Sequence, residues 1–169
     1  MKNIVLIGMA GAGKSTIGVL LAKTMGMSFI DTDLVIQQNE GKLLQVLLDE
    51  QGIDNFIKIE EKAVLGLNAK NSIIATGGSV VYSEKSMLHL MKNGLVVYLK
   101  VPFDIIETRL KNITTRGVVM KKGSKLIDVY NERSPLYEKY ADVIIDCKNK
   151  DTESIVDEIR RLFHNMNSQ

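Results

Sequence analysis

Residues 8–16 read Gly-Met-Ala-Gly-Ala-Gly-Lys-Ser-Thr, after an apolar run from Ile4 to Ile7 and before an amphipathic stretch that begins at Ile17. Strand, glycine-rich loop and helix in that order are what a phosphate-binding loop requires, so the chain is expected to bind a nucleoside triphosphate. Glycines let successive main-chain N–H groups turn inward around a phosphate, and the helix that follows adds its positive N-terminal end. Gly11, Ala12, Gly13, Lys14, Ser15 and Thr16 then form the nucleotide cradle. Lys14 is expected to reach the β- and γ-phosphates, and Ser15 to offer its hydroxyl to Mg²⁺, which neutralises the oxygens of the transferring group.

Short β-branched runs at 4–7, 28–30, 72–75, 96–99 and 143–145 alternate with longer helical patterns. Five strands separated by helices predict an α/β chain with a parallel sheet. The runs are nearly continuous in apolar residues rather than alternating, which predicts strands covered on both faces and a site built from the loops at their C-terminal ends. The unusual residues fall at those ends. The phosphate loop follows Ile7, Asp31-Thr32-Asp33 follows Ile30, and Thr76-Gly77-Gly78-Ser79 follows Ala75.

Asp31 and Asp33 are two apart, so at an extended strand end they point the same way, and two carboxylates beside a triphosphate can divide metal coordination from proton abstraction. An isolated aspartate here would more often cap the helix that starts near Leu34. The adjoining phosphate loop favours the chemical role. Gly77-Gly78 fits a plain turn as well as a ligand touching backbone amides. The polar segment 112–125 carries Arg116, Lys121 and Lys122 without apolar periodicity. Unstructured loops of this length are uncommon in compact domains unless functional, which favours a cationic lid that closes over phosphates with Arg116 against the developing charge.

Composition excludes other classes. With 22 Lys and Arg against 20 acids, the net charge of +2 gives no reason to expect nucleic acid or membrane as a partner. Cys147 is the only cysteine, and no charged-then-apolar leader precedes the first strand, so a cytoplasmic location is expected. His89 and His164 fall on predicted helices without metal-type neighbours and read as surface or packing residues. The stretch 152–163 places Ile155, Ile159, Leu162 and Phe163 on one helical face, which predicts packing on the sheet.

The assembled pattern resembles the shikimate kinases. Gly-x-x-Gly-x-Gly-Lys-Ser-Thr, Asp-Thr-Asp, Ala-Thr-Gly-Gly, the Arg109 helix, Arg116 and Arg133-Ser134-Pro135-Leu136-Tyr137 occur in family order across almost the whole chain. The resemblance implies one P-loop kinase domain over 1–169 in three layers, with a five-stranded parallel sheet of order 2-3-1-4-5. An acceptor-binding helical region at about 33–62 and a lid at about 112–125 go with it. It implies transfer of the γ-phosphoryl of ATP, with Mg²⁺ held by Ser15 and Asp31, to the 3-hydroxyl of shikimate in aromatic amino acid biosynthesis. Asp33 would contact that hydroxyl, and Lys14 and Arg116 would stabilise the transferred group. Arg109 would lie against adenine, with Lys150 on its other face. Gly77, Gly78, Ser79 and Arg133 would hold the acceptor, Arg133 at its carboxylate. The expected partner is a small hydroxylated molecule, and the expected state a monomer.

Three positions depart from the family pattern. Ile57 stands where a second carboxylate-binding arginine is expected, a loss of roughly 1.5 to 3 kcal/mol, or about tenfold to a hundredfold in affinity. Lys58 is adjacent, but one residue turns a helix by about 100°, so its ammonium would have to curl around the helix. Glu60, paired with that arginine in the family, would lean on Arg133 or present an uncompensated charge. Ser79 replaces a third glycine, and Gly117 replaces a proline after Arg116. These edits keep two other readings open: a related kinase with a different small hydroxylated acceptor, and a nucleotide-binding module without transfer activity. Asp33, Arg116 and Arg133 argue against the module.

Overall fold

The computed structural model describes residues 2–111 and 118–167. Strands β1 (Asn3–Ile7), β2 (Ser28–Asp31), β3 (Ser72–Ala75), β4 (Gly94–Lys100) and β5 (Val143–Asp146) alternate with helices α1 (Lys14–Met25), α2 (Thr32–Glu40), α3 (Leu44–Leu65), α4 (Glu84–Lys92), α5 (Phe103–Lys111), α6 (Leu126–Tyr140) and α7 (Thr152–Asn167). All strand pairings are parallel, and the order is β2-β3-β1-β4-β5, as the resemblance implied. This order puts β1 at the centre, with the loops after β1, β2 and β3 side by side at one sheet edge.

Burial follows position in the sheet. Every residue of β1 and β3 is buried, whereas edge strands β2 and β5 are half-buried or exposed at most positions. The expectation of cover on both faces therefore holds for the centre and fails at the edges, where continuous apolar runs such as 143–145 need only one covered face. The main core gathers Ile4, Leu6, Leu21, Ile73, Val97 and Ile159 about the sheet, and a second, smaller cluster of Ile36, Leu47, Phe56 and Ala63 joins α2 to α3. Ile155, Ile159 and Phe163 of α7 are buried and Leu162 packs beside them, as the apolar spacing predicted. No described helix is long and apolar enough to cross a membrane.

One side-chain cap fixes the helix start beside the site. Asp31 caps α2 by accepting from the Asp33 amide, so Asp33 lies in the first helical turn and not at an extended strand end. The capping alternative was therefore correct for Asp31, and it is what sets the direction of Asp33. Gly52, at φ 71° and ψ 171°, breaks α3 into two helical pieces, so the expected helical region at 33–62 is a bent arm.

Ser83 caps α4 by accepting from the Ser86 amide and donates to Glu61 at 2.6 Å. Replacing Ser83 by Ala should lower stability by about 1 kcal/mol, read as a lower urea midpoint with an unchanged slope. An unchanged midpoint would show that the cap is not holding α4.

Candidate active site

The loop after β1 wraps toward the sheet edge because Gly11 and Gly13 adopt φ of 80° and 90°, left-handed values that a glycine takes without steric cost. Lys14, buried at the start of α1, donates from Nζ to the carbonyls of Gly8 and Met9 at 2.7 and 2.8 Å, which folds the ammonium over the loop. Ser15 Oγ donates to Asp31 Oδ2 at 2.7 Å, while Asp31 Oδ1 accepts from the Asp33 amide at 3.0 Å. One carboxylate thus ties the phosphate loop to the start of α2.

The third loop closes against these two. The Gly77 amide donates to Thr32 Oγ1 at 3.1 Å, and Thr76 Oγ1 donates to the Leu6 carbonyl at 2.9 Å. A Cβ at Gly77 would lie 2.6 Å from Glu60 Oε2 and 2.9 Å from Asp33 Oδ1, so a side chain there would displace both carboxyl groups. Tyr137 Oη donates to the Gly78 carbonyl at 2.6 Å, and Arg133 Nη1 lies 3.3 Å from where a Gly78 Cβ would stand. The glycine pair is therefore more than a turn: its backbone is packed against the site's charged groups.

Together these loops line a cavity of about 390 Å³. Gly11, Gly13, Lys14, Ser15, Asp31 and Asp33 stand on its wall with Gly77, Gly78, Ser79, Glu60 and Arg133. Phe56 adds apolar lining, and so do Leu44 and Val119, which carry no motif and which sequence reasoning missed. Ala12 is buried and Thr16 exposed, neither on the cavity wall. Arg109 reaches back to the Gly11 carbonyl at 2.9 Å, which puts it beside the nucleotide loop. Lys150 is exposed and paired with Glu158 at 2.6 Å. Arg116 and Gly117 lie outside the described residues, so only 118–125 of the expected lid is described. There Val119 lines the cavity, and no regular element forms before α6.

Ile57 does not line this cavity. It borders a second one of about 270 Å³, with Tyr82, Met120 and Val129, and Arg133 is the wall that both cavities share. Lys58 is exposed, in line with its predicted turn away from the pocket. Glu60 forms no ion pair with Arg133 and comes closer to the uncompensated acid expected as the alternative: Oε1 accepts from Ser79 Oγ at 2.8 Å, and Oε2 is a buried oxygen without a hydrogen-bond partner. Burial pushes the Glu60 carboxyl up to about 7; the Ser79 bond pulls it down, Asp33 raises it, and Arg133 and Lys14 lower it. Ser79, which replaces a glycine of the family pattern, is thus the hydrogen-bond donor to Glu60. Cys147 is pushed up to about 11 by burial and stays an inert thiol. No cluster of three or more His, Cys, Asp or Glu fit for a metal occurs among the described residues. The oxygens of Ser15 and Asp31 suit Mg²⁺, which takes one or two protein oxygens together with phosphate and water.

A parallel sheet of this order, with a glycine-rich loop after its first strand and acids after the next, defines a phosphate-binding-loop kinase architecture. The family described as Shikimate kinase matches residues 10–163. A shikimate kinase of Caldanaerobacter subterraneus is 33% identical over 96% of this chain and 96% of its own. One from Bacillus anthracis is 35% identical over 95% of this chain and 97% of its own. The solved shikimate kinase from Acinetobacter baumannii in complex with shikimate superposes with a TM-score of 0.91 at 27% identity, covering 100% of this chain and 96% of that one. The chain belongs to the shikimate kinase family. It is accordingly a small-molecule kinase, and the nucleotide-binding module is set aside.

Glu60 makes a pH prediction. Its carboxyl is raised from the ordinary 4.5 to about 7 in the folded chain, so the folded state holds a proton that the unfolded state releases. The associated stability is complete below about 4.5 and is lost as pH rises through about 7, a change of about 3 kcal/mol. Glu60→Gln, which mimics the protonated acid, should gain stability relative to the native chain by that amount between these limits in urea titrations. A difference that stays constant with pH would contradict the assignment.

Proposed function

We propose that this chain transfers the γ-phosphoryl group of ATP to the 3-hydroxyl of shikimate, as a cytoplasmic enzyme. The observation that carries this reading is the convergence of Lys14, Ser15, Asp31, Asp33 and Arg133 on the wall of one cavity. That set suits a triphosphate, a reacting hydroxyl and a carboxylate: a cation and metal-binding oxygens for the first, an acid for the second and a buried guanidinium for the third. Ser15 and Asp31 hold Mg²⁺, which when bound neutralises phosphate oxygens. The acceptor oxygen forms its bond to the γ-phosphorus, its proton passes to Asp33, and the bond to the bridging oxygen breaks as ADP leaves. Lys14 turns from the loop carbonyls to the phosphates and stabilises the charge that spreads over them. Arg133 orients the acceptor through its carboxylate, and Arg109 flanks the nucleotide base.

A coupled assay of ADP release with shikimate and ATP tests the reading. Lys14→Ala should lower kcat/KM by about a hundredfold to a thousandfold. Asp33→Asn should leave ATP affinity intact and lower kcat by about a hundredfold or more. Equal loss of ATP affinity in both variants would move Asp33 to the nucleotide site and end its role as base.

One observation favours a second reading, a different small hydroxylated acceptor: Ile57 faces the second cavity and leaves the acceptor end with Arg133 beside a partly ionised Glu60. Ile57→Arg should raise kcat/KM for shikimate by about tenfold if the missing cation limits recognition. No gain, together with rapid ADP release on another hydroxy acid or polyol, would point to a pocket rebuilt for that acceptor.

A further inference from the structure

Arg133 is 1% exposed, and among the described residues no ion pair includes it. A buried guanidinium without a carboxylate needs its donors satisfied some other way. Nε donates to Tyr82 Oη at 3.2 Å, and Nη2 donates to the Val119 carbonyl. The cation also lies over the Tyr82 ring, 5.1 Å from its centroid. The phenol gives its one proton to Glu132 Oε1, which leaves its lone pairs for Arg133. Desolvation and the Glu132 bond both raise the Tyr82 pKa, so the phenol stays neutral.

Glu132 and Arg133 are neighbours on α6 and point in different directions, and Tyr82 bridges them from the turn after β3. The result is a relay in which a carboxylate stabilises a buried cation that it does not touch. Nε and Nη2 form the side-on fork with which an arginine grips a carboxylate by two parallel bonds. Here that fork is spent on Tyr82 and Val119, and Nη1 is the nitrogen beside Gly78 at the cavity. Ile57 and Tyr82 together border the second cavity, so helix α3 brings no cation to this side.

We infer that Tyr82, backed by Glu132, is a positioning residue that presents Arg133 to the acceptor as a carboxylate anchor through Nη1. This deepens the acceptor reading above and rests on it. A hydroxy acid with one carboxylate suits such an anchor.

The test compares shikimate with its methyl ester, in which the carboxylate charge is gone, in the native chain and in Tyr82→Phe. The variant should raise KM for shikimate about tenfold and leave KM for the ester, KM for ATP and kcat unchanged. Glu132→Gln should do the same more weakly, because Glu132 is exposed. Equal change with both acceptors, or no change with shikimate, overturns the inference. A second readout does not need turnover: added shikimate should shift the Arg133 Nε–H resonance in ¹⁵N spectra of the native chain, with about tenfold more required in Tyr82→Phe. Turnover without that shift overturns the role of Arg133 as anchor. The shift without turnover keeps the anchor and sinks the kinase reading, and the absence of both ends the two together.

Discussion

A single carboxylate, Asp31, joins the two loops on which the site depends. Its Oδ2 accepts from Ser15 on α1, and its Oδ1 accepts from the Asp33 amide at the start of α2. Hydrogen bonds to an ionised group contribute roughly 1.5 to 3 kcal/mol each, which is enough to hold one loop against the other. Because the cap starts the helix at Thr32, it also decides where Asp33 points. Capping and metal binding look like competing explanations for an aspartate at a strand end. In this fold one oxygen caps while the other faces the phosphate loop, so a single residue serves both ends.

The two ends of the cavity differ in electrostatics. The phosphate loop has Lys14 and the N-terminus of α1, a field suited to several negative charges. The acceptor end has one buried guanidinium and an acid that holds its proton up to about pH 7. Ile57 and Ser79 make sense as a pair. Without an arginine from α3, Glu60 needs a donor, and Ser79 Oγ provides one at 2.8 Å. The hydroxyl stabilises the ionised carboxyl but adds no positive charge, so under the proposed function the recognition of an anionic acceptor falls on Arg133.

Much of this was legible in the sequence because it is local. The apolar runs at 4–7 and 72–75 became the buried centre of the sheet, and the residues just after them became the cavity wall. Shikimate kinase membership and strand order also followed from motifs in series. What was not legible depends on distance along the chain. Tyr82 meets Arg133 across 51 residues, and Ser79 meets Glu60 across 19, and neither pair has a spacing that announces it. Asp33 was placed on an extended strand because the period-two argument runs past Ile30, whereas the Asp31 cap ends the strand and begins a helix. Val119 and Leu44 were missed because an apolar residue on a polar cavity wall looks like any other core residue.

The most direct test of the central claim is a crystal structure of the chain with ADP, Mg²⁺ and shikimate. The account predicts the acceptor's 3-hydroxyl within hydrogen-bond reach of Asp33, and its carboxylate on Nη1 of Arg133. Shikimate seated with its carboxylate in the second cavity, or Asp33 turned out of the space beside the phosphate loop, would contradict it.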